Sequence, residues 1–275
     1  MKKKALLLFM TLTAIAAASG CGRKDSSSDP SSSHTTAAET MAEILPSSSE
    51  EETTVLETQK PQEETKDQPA DVSASVKTYK EGNVSIQYPE LSNLSDSSVQ
   101  NKVNQLLYSN ALQFLEAYSV DSAKDTVTVE CDVISADRRR VTVVYTGLYS
   151  AQGASYPTNL FYTNTIDTAK GEDIELTDYA DPYTLAGYIL SGDCQFETDD
   201  SQLNQALMDQ RSDRDINTYT QMFQNADFPY KESEDDPVPF PQVFSYEDGG
   251  TIYVSLPVSH ALGDFALVKY TPDTK

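Results

Sequence analysis

From Gly22 to about Ser75 no apolar period is sustained, and only beyond Val76 do hydrophobic residues recur with a structural spacing. That shift confines any buried core to the last two hundred residues, enough for one sizeable core or two small subdomains. The stretch before it is Ser, Thr, Glu, Pro and Gln, in runs such as "DSSSDPSSS", "SSSEEETT" and "QKPQEETKDQP". Such a composition cannot bury enough apolar surface to offset chain entropy, so residues 21–75 read as a disordered tether. As a flexible coil it reaches roughly 40 Å. His34 lies within it and reads as solvated filler.

Ahead of the tether, Lys2, Lys3 and Lys4 precede an apolar run from Ala5 to Ala16, and small residues lead into Cys21. A spanning helix needs about 20 apolar residues, so residues 1–20 read as a signal peptide. Ala18-Ser19-Gly20 before Cys21 resembles a bacterial lipobox, with Ala18 in place of the usual leucine. The resemblance implies diacylglycerol on Cys21 and a protein anchored by lipid to the outer face of the cell membrane. The alternative is an ordinary secretory signal followed by a chance cysteine.

The formal net charge is −23. Residues 1–75 hold 7 Lys+Arg and 12 Asp+Glu, which leaves 13 basic against 31 acidic residues, a net of −18, for residues 76–275. A domain of that charge repels nucleic acid and anionic polymers and attracts cationic proteins. Arg138-Arg139-Arg140 is its one basic cluster, placed in a hairpin turn.

Within 76–275 the pattern predicts α+β architecture: antiparallel sheets with packed helices, in two consecutive subdomains with a subdivision near residue 150 left open. Val84, Ile86 and Tyr88 alternate in a short strand that Pro89 ends. Asp96 reads as the N-cap of a helix to about Tyr118, with Val99, Val103, Leu106, Leu107 and Phe114 at helical spacing. Val127, Val129, Cys131 and Val133 alternate, as do Val141, Val143 and Tyr145, and "NLFYTNTID" turns through "TAKGED" into "IEL". Helices are expected at Pro182–Leu190, Ser201–Met208 and Asn217–Asn225, then strands in "QVFSYEDGGTIYVSL" and "DFALVKY". Helices clustered between hairpins argue against a parallel βαβ sheet.

Cys131 and Cys194 could close a disulfide, which for so long a loop would contribute about 4 kcal/mol. Cys131 lies on the apolar face of its strand, which favours a buried thiol behaving as a small hydrophobe.

Chemistry is sparse. One histidine, His260, falls in 76–275, too few for a histidine metal site. Ser259, His260 and Asp264 suggest a catalytic set, yet neighbours on an extended chain point to opposite sides. A turn histidine bonded to its own loop is the plainer reading. "GASYP" lacks the last glycine of a nucleophile elbow. "ETDDS" and "ESEDDP" lack calcium-loop spacing and read as solvated loops. Neither a cofactor nor a metal is expected. Tyr145, Tyr149, Tyr156 and Tyr162 gather around one loop and its strands. Tyr149, Tyr156 and Tyr162 form the candidate ligand surface, with sheet packing as the alternative.

The order of these elements carries a resemblance. "VSIQYPELSNLSDSSVQNKVNQLLYSNALQFL" resembles the opening of the PdaC/RsiV-like extracellular domain family. "GASYPTNLFYTNTIDTAKGEDIELTDYADPYTLAGYI" resembles its second half, and "PVSHALGDFALVKY" its closing strand. Tyr156 stands where the family's loop often has a histidine. In the family's deacetylases this domain precedes a metal-dependent catalytic domain; in its anti-sigma factors it binds lysozyme outside the cell. Neither a catalytic domain nor a transmembrane helix is read in this sequence. The resemblance therefore implies a non-catalytic recognition module for lysozyme-like cationic protein or for peptidoglycan. A wall-glycan-modifying enzyme acting through carboxylates is the alternative. A transporter's solute-binding protein is disfavoured, because the folded part is short and antiparallel.

Overall fold

The computed structural model describes residues 71–231 and 238–272. Cys21, most of the tether and the acidic "ESEDDP" stretch lie outside them. The described residues belong to one compact unit, and its architecture is α+β: two sheets and four helices.

The first sheet holds β1 (Ser73–Glu81), β2 (Val84–Ser92), β3 (Thr126–Ala136), β4 (Arg140–Ser150), β5 (Thr158–Asp167) and the short β6 (Glu172–Asp173), in that spatial order. All pairs are antiparallel except β2 with β3, which α1 (Ser97–Ala117) joins as a crossover. Asp96 caps α1 as expected: its Oδ1 accepts from the N–H groups of Ser98 at 2.7 Å and Val99 at 3.2 Å, two of the orphan donors at a helix start. Period-2 alternation puts Val84 and Ile86, Val127, Val129 and Cys131, Val141, Val143 and Tyr145, and Leu160, Tyr162 and Ile166 into one core. Val103, Leu107, Ala111 and Phe114 of α1 close it.

The second sheet runs β7 (Gln195–Phe196), β10 (Phe265–Tyr270), β9 (Thr251–Pro257), β8 (Ser245–Asp248), all antiparallel. Ile252, Val254, Leu256, Ala266 and Val268 form its core with α2 (Pro182–Leu190), α3 (Ser201–Gln210) and α4 (Ile216–Gln224). Gly249 and Gly250 both take positive φ between β8 and β9, which a tight hairpin of native twist requires. β8 and β10 meet β5 of the first sheet, and Arg140 bonds Glu247 across the two sheets at 2.7 Å.

Three expectations change, and one strand was not foreseen. β2 continues through Pro89, which pairs with Val76. The parallel ladder to β3 ends at Ile86, so the missing N–H falls where only β1 pairs with the strand. β1 itself, exposed along most of its length, carries no alternation and was invisible to pattern. "IEL" is no strand: only Glu172 and Asp173 pair, and Leu176 begins a 3₁₀ turn. The chain does not divide near residue 150, because β4 and β5 pair from Arg140–Asp167 to Tyr149–Thr158. The change of sheet comes after Asp173.

The disulfide is also corrected. Cys131 and Cys194 are free and buried, one in each apolar cluster. Burial pushes each thiol up to about 11, the behaviour of inert core cysteines.

Candidate functional site

The expected tyrosine surface breaks apart. Tyr162 shares its face of β5 with Leu160 and Ile166, so it points at α1. There it stacks on Tyr145 at 4.6 Å and donates to the Ala111 carbonyl at 2.8 Å. Both rings are fully buried, and desolvation holds both phenols far above their ordinary range. Tyr149 is half-buried, edge-on to Phe114 at 5.2 Å. Only Tyr156, 73% exposed, stands free in solvent.

These residues instead flank a cleft of about 130 Å³ where the two sheets meet. The end of α1 supplies Phe114 and Tyr118, stacked at 4.3 Å. The stretch before β8 supplies Phe240, edge-on to both at 5.9 and 6.1 Å, with Tyr162 behind it at 5.8 Å. Opposite them Phe161 of β5 stacks on Phe265 of β10 at 4.9 Å. Tyr118 is 37% exposed and opens this aromatic wall to solvent.

Asp264 is the one charged side chain lining the cleft among the described residues. Its Oδ2 accepts from the Asn159 backbone N–H at 2.8 Å and from Asn159 Nδ2 at 3.2 Å. Its Oδ1 lies 2.8 Å from His260 Nδ1. His260 is thus a turn histidine bonded within its own loop, as the sequence suggests, and it serves Asp264 rather than Ser259. Tyr156 extends the same rim, its ring 6.1 Å from that of His260.

A second polar centre was not foreseen. Asp227, only 4% exposed, accepts from the Ser245 N–H at 2.6 Å, the Leu176 N–H at 2.9 Å and the Ser245 hydroxyl. Thr163 Oγ1 approaches at 3.5 Å and donates to the Ser245 carbonyl at 2.7 Å, while Tyr179 bonds the Ser245 hydroxyl. One carboxyl thereby ties β5, the 3₁₀ turn and β8 together. Desolvation outweighs these donors and raises Asp227 to about 7. The available signal was a lone aspartate between Ala226 and Phe228.

Two further acids have local structural roles. Asp200 of "ETDDS" caps α3, and Asp137 holds the hairpin turn through the N–H groups of Arg139 and Arg140. Among the described residues no cluster of His, Cys, Asp or Glu could hold a metal. No described helix is long and apolar enough to cross a membrane.

The geometry defines an α+β protein with one small aromatic cleft on an acidic domain. No family model matches the chain, and no curated protein does. Solved structures similar to it include two DUF3298 family proteins. One is a DUF3298 family protein from Pseudomonas aeruginosa PAO1, at 12% identity and TM-score 0.37, over 74% of this chain and 91% of that one. The other is a DUF3298 family member from Bacteroides fragilis NCTC 9343, at 11% identity and TM-score 0.39, over 73% and 89%. With so few residues shared, the likeness transfers no site residue.

Proposed function

We propose that this chain is a lipoprotein, anchored through Cys21 on the outer face of the cell membrane, whose domain recognises a component of the cell envelope. The reading takes the domain as non-catalytic and its ligand as a cationic wall-active protein such as lysozyme, or peptidoglycan. The observation that carries it is the aromatic cleft with Asp264 at its rim, set in a domain of net charge −18. Charge of that size speeds encounter with a cationic partner, and aromatic contacts then set the residence time.

The test is binding of the full chain to lysozyme and to an inert cationic protein of similar charge, at two salt levels. The Debye length falls from about 10 Å at 0.1 M to about 3 Å at 1 M. Specific recognition retains lysozyme binding at high salt and discards the inert protein. Equal binding to both, vanishing with salt, refutes it. The anchor is tested separately: Cys21→Ser should abolish lipid labelling and release the protein from salt-washed membranes.

A further inference from the structure

The cleft's size narrows what enters it. At about 130 Å³ it is close to the ~150 Å³ of an apolar cavity that takes one benzene. It lies well below the roughly 300–1,000 Å³ of sites that enclose larger ligands. A single side chain fills that space, whereas two linked sugar rings would extend beyond it. The walls are rings: Tyr118 and Phe265 reach the opening, and the nearly buried Phe114 and Phe240 back them. The only charge among the described lining residues is the Asp264 carboxylate.

That carboxylate is pre-organised. Asn159 fixes one oxygen with two donors and His260 holds the other, so little ordering cost remains when a cation arrives. The Asp264 side chain is only 15% exposed, and its attraction is screened less than that of a fully solvated charge. Aromatic rings lining the cleft add attraction for ammonium and guanidinium groups.

We propose that the cleft receives one arginine or lysine side chain of a protein partner, its apolar stem against the rings and its charged head at Asp264. This rests on the recognition reading above and adds the chemical group recognised. Anionic side chains are repelled at Asp264, and a neutral side chain gains the ring contacts alone.

The probe is a blocked Gly-Arg-Gly peptide, compared with its lysine, citrulline and glutamate counterparts and with chitobiose. The readout is ring resonances of the full chain labelled at Phe and Tyr. Saturable shifts confined to Phe114, Tyr118, Phe240 and Phe265 are expected with arginine and lysine. Citrulline, the neutral isostere, should bind at least about tenfold more weakly, since it loses the charge-assisted hydrogen bond to the carboxylate.

Asp264→Asn should give the same tenfold loss for arginine and no loss for citrulline. Its amide oxygen can keep the Asn159 donors, and its amide nitrogen can donate to His260 in the other tautomer, so the loop survives. Tyr118→Leu, at a half-exposed wall, should weaken both peptides. Equal binding of arginine and citrulline, shifts driven by chitobiose or glutamate, or no saturable shift at all overturns the proposal.

Lysozyme separates the two ideas. If Asp264→Asn leaves lysozyme binding intact and the arginine peptide is silent, the side-chain receptor fails and envelope recognition stands. If the arginine peptide binds in the cleft while lysozyme and peptidoglycan both fail, the receptor stands and the named ligands fall.

Discussion

Replacing Asp227 by asparagine should flatten the pH dependence of this protein's stability. The carboxyl is wholly buried, and its desolvation exceeds the pull of its hydrogen-bond donors, raising it from 3.8 to about 7. The protonated form therefore belongs to the folded state. Its stabilising contribution is fully present below about pH 4 and is lost as pH rises through about 7. At 1.36 kcal/mol per pH unit, that displacement corresponds to roughly 4 kcal/mol. Asp173, also raised by burial, acts in the same sense. Asp137, Asp167 and Glu247, held below the usual range by hydrogen bonds and nearby cations, act oppositely, at pH below their ordinary values. Between pH 4.5 and 7.5 Asp227 should dominate. The asparagine side chain offers one acceptor oxygen where the carboxyl offers two, so the Leu176 or a Ser245 bond is lost, a pH-independent cost of about 1–3 kcal/mol. Urea unfolding followed by tyrosine fluorescence, which the absence of tryptophan makes clean, measures both effects. Wild type should lose stability with rising pH, and Asp227→Asn should be less stable at pH 4.5 yet nearly level across the range. An unchanged slope in the variant, or wild-type stability that climbs with pH, would show that the donors keep Asp227 ionised throughout.

Phe114→Ala empties the centre of the first core and of the aromatic cluster; the expected loss is about 3–5 kcal/mol, read from the urea midpoint. Gly82→Ala should destabilise, since an added Cβ would lie 2.2 Å from the Ser122 carbonyl oxygen at a φ of +54°; unfolding curves indistinguishable from wild type would count against that close approach. Cys131 and Cys194 should resist an aromatic disulfide reagent at pH 8 until denaturant is added. Rapid labelling in buffer would mean that the burial is wrong.

Much of the fold was legible because each segment's pattern and its caps agreed. Asp96 begins its helix through its side chain as read, and Asp181, Asp200 and Asp215, not read as caps, do the same; Pro182–Leu190 runs as its residues suggest. The inner faces of β3 and β4 follow from alternation alone. β1 escaped because an exposed edge strand has no buried face to write into its sequence. The tyrosines misled for a related reason: a tyrosine near a loop looks alike whether its ring meets water or a helix. Which of them is wet depends on where α1 crosses the sheet, and that placed Tyr162 in the core and left Tyr156 in solvent.

By itself, then, the sequence determined the composition break near residue 75, the acidic character of the domain, the α+β class and the helix starts, all of them local or summed properties. Only the tertiary structure decided that Asp264 lines one cleft with Phe114 and Phe240, that Asp227 joins two sheets, and that Cys131 and Cys194 sit in separate cores. Those partners lie far apart along the chain, and no local propensity specifies them. They meet because burying the faces of two sheets and four helices leaves few ways to bring the elements together.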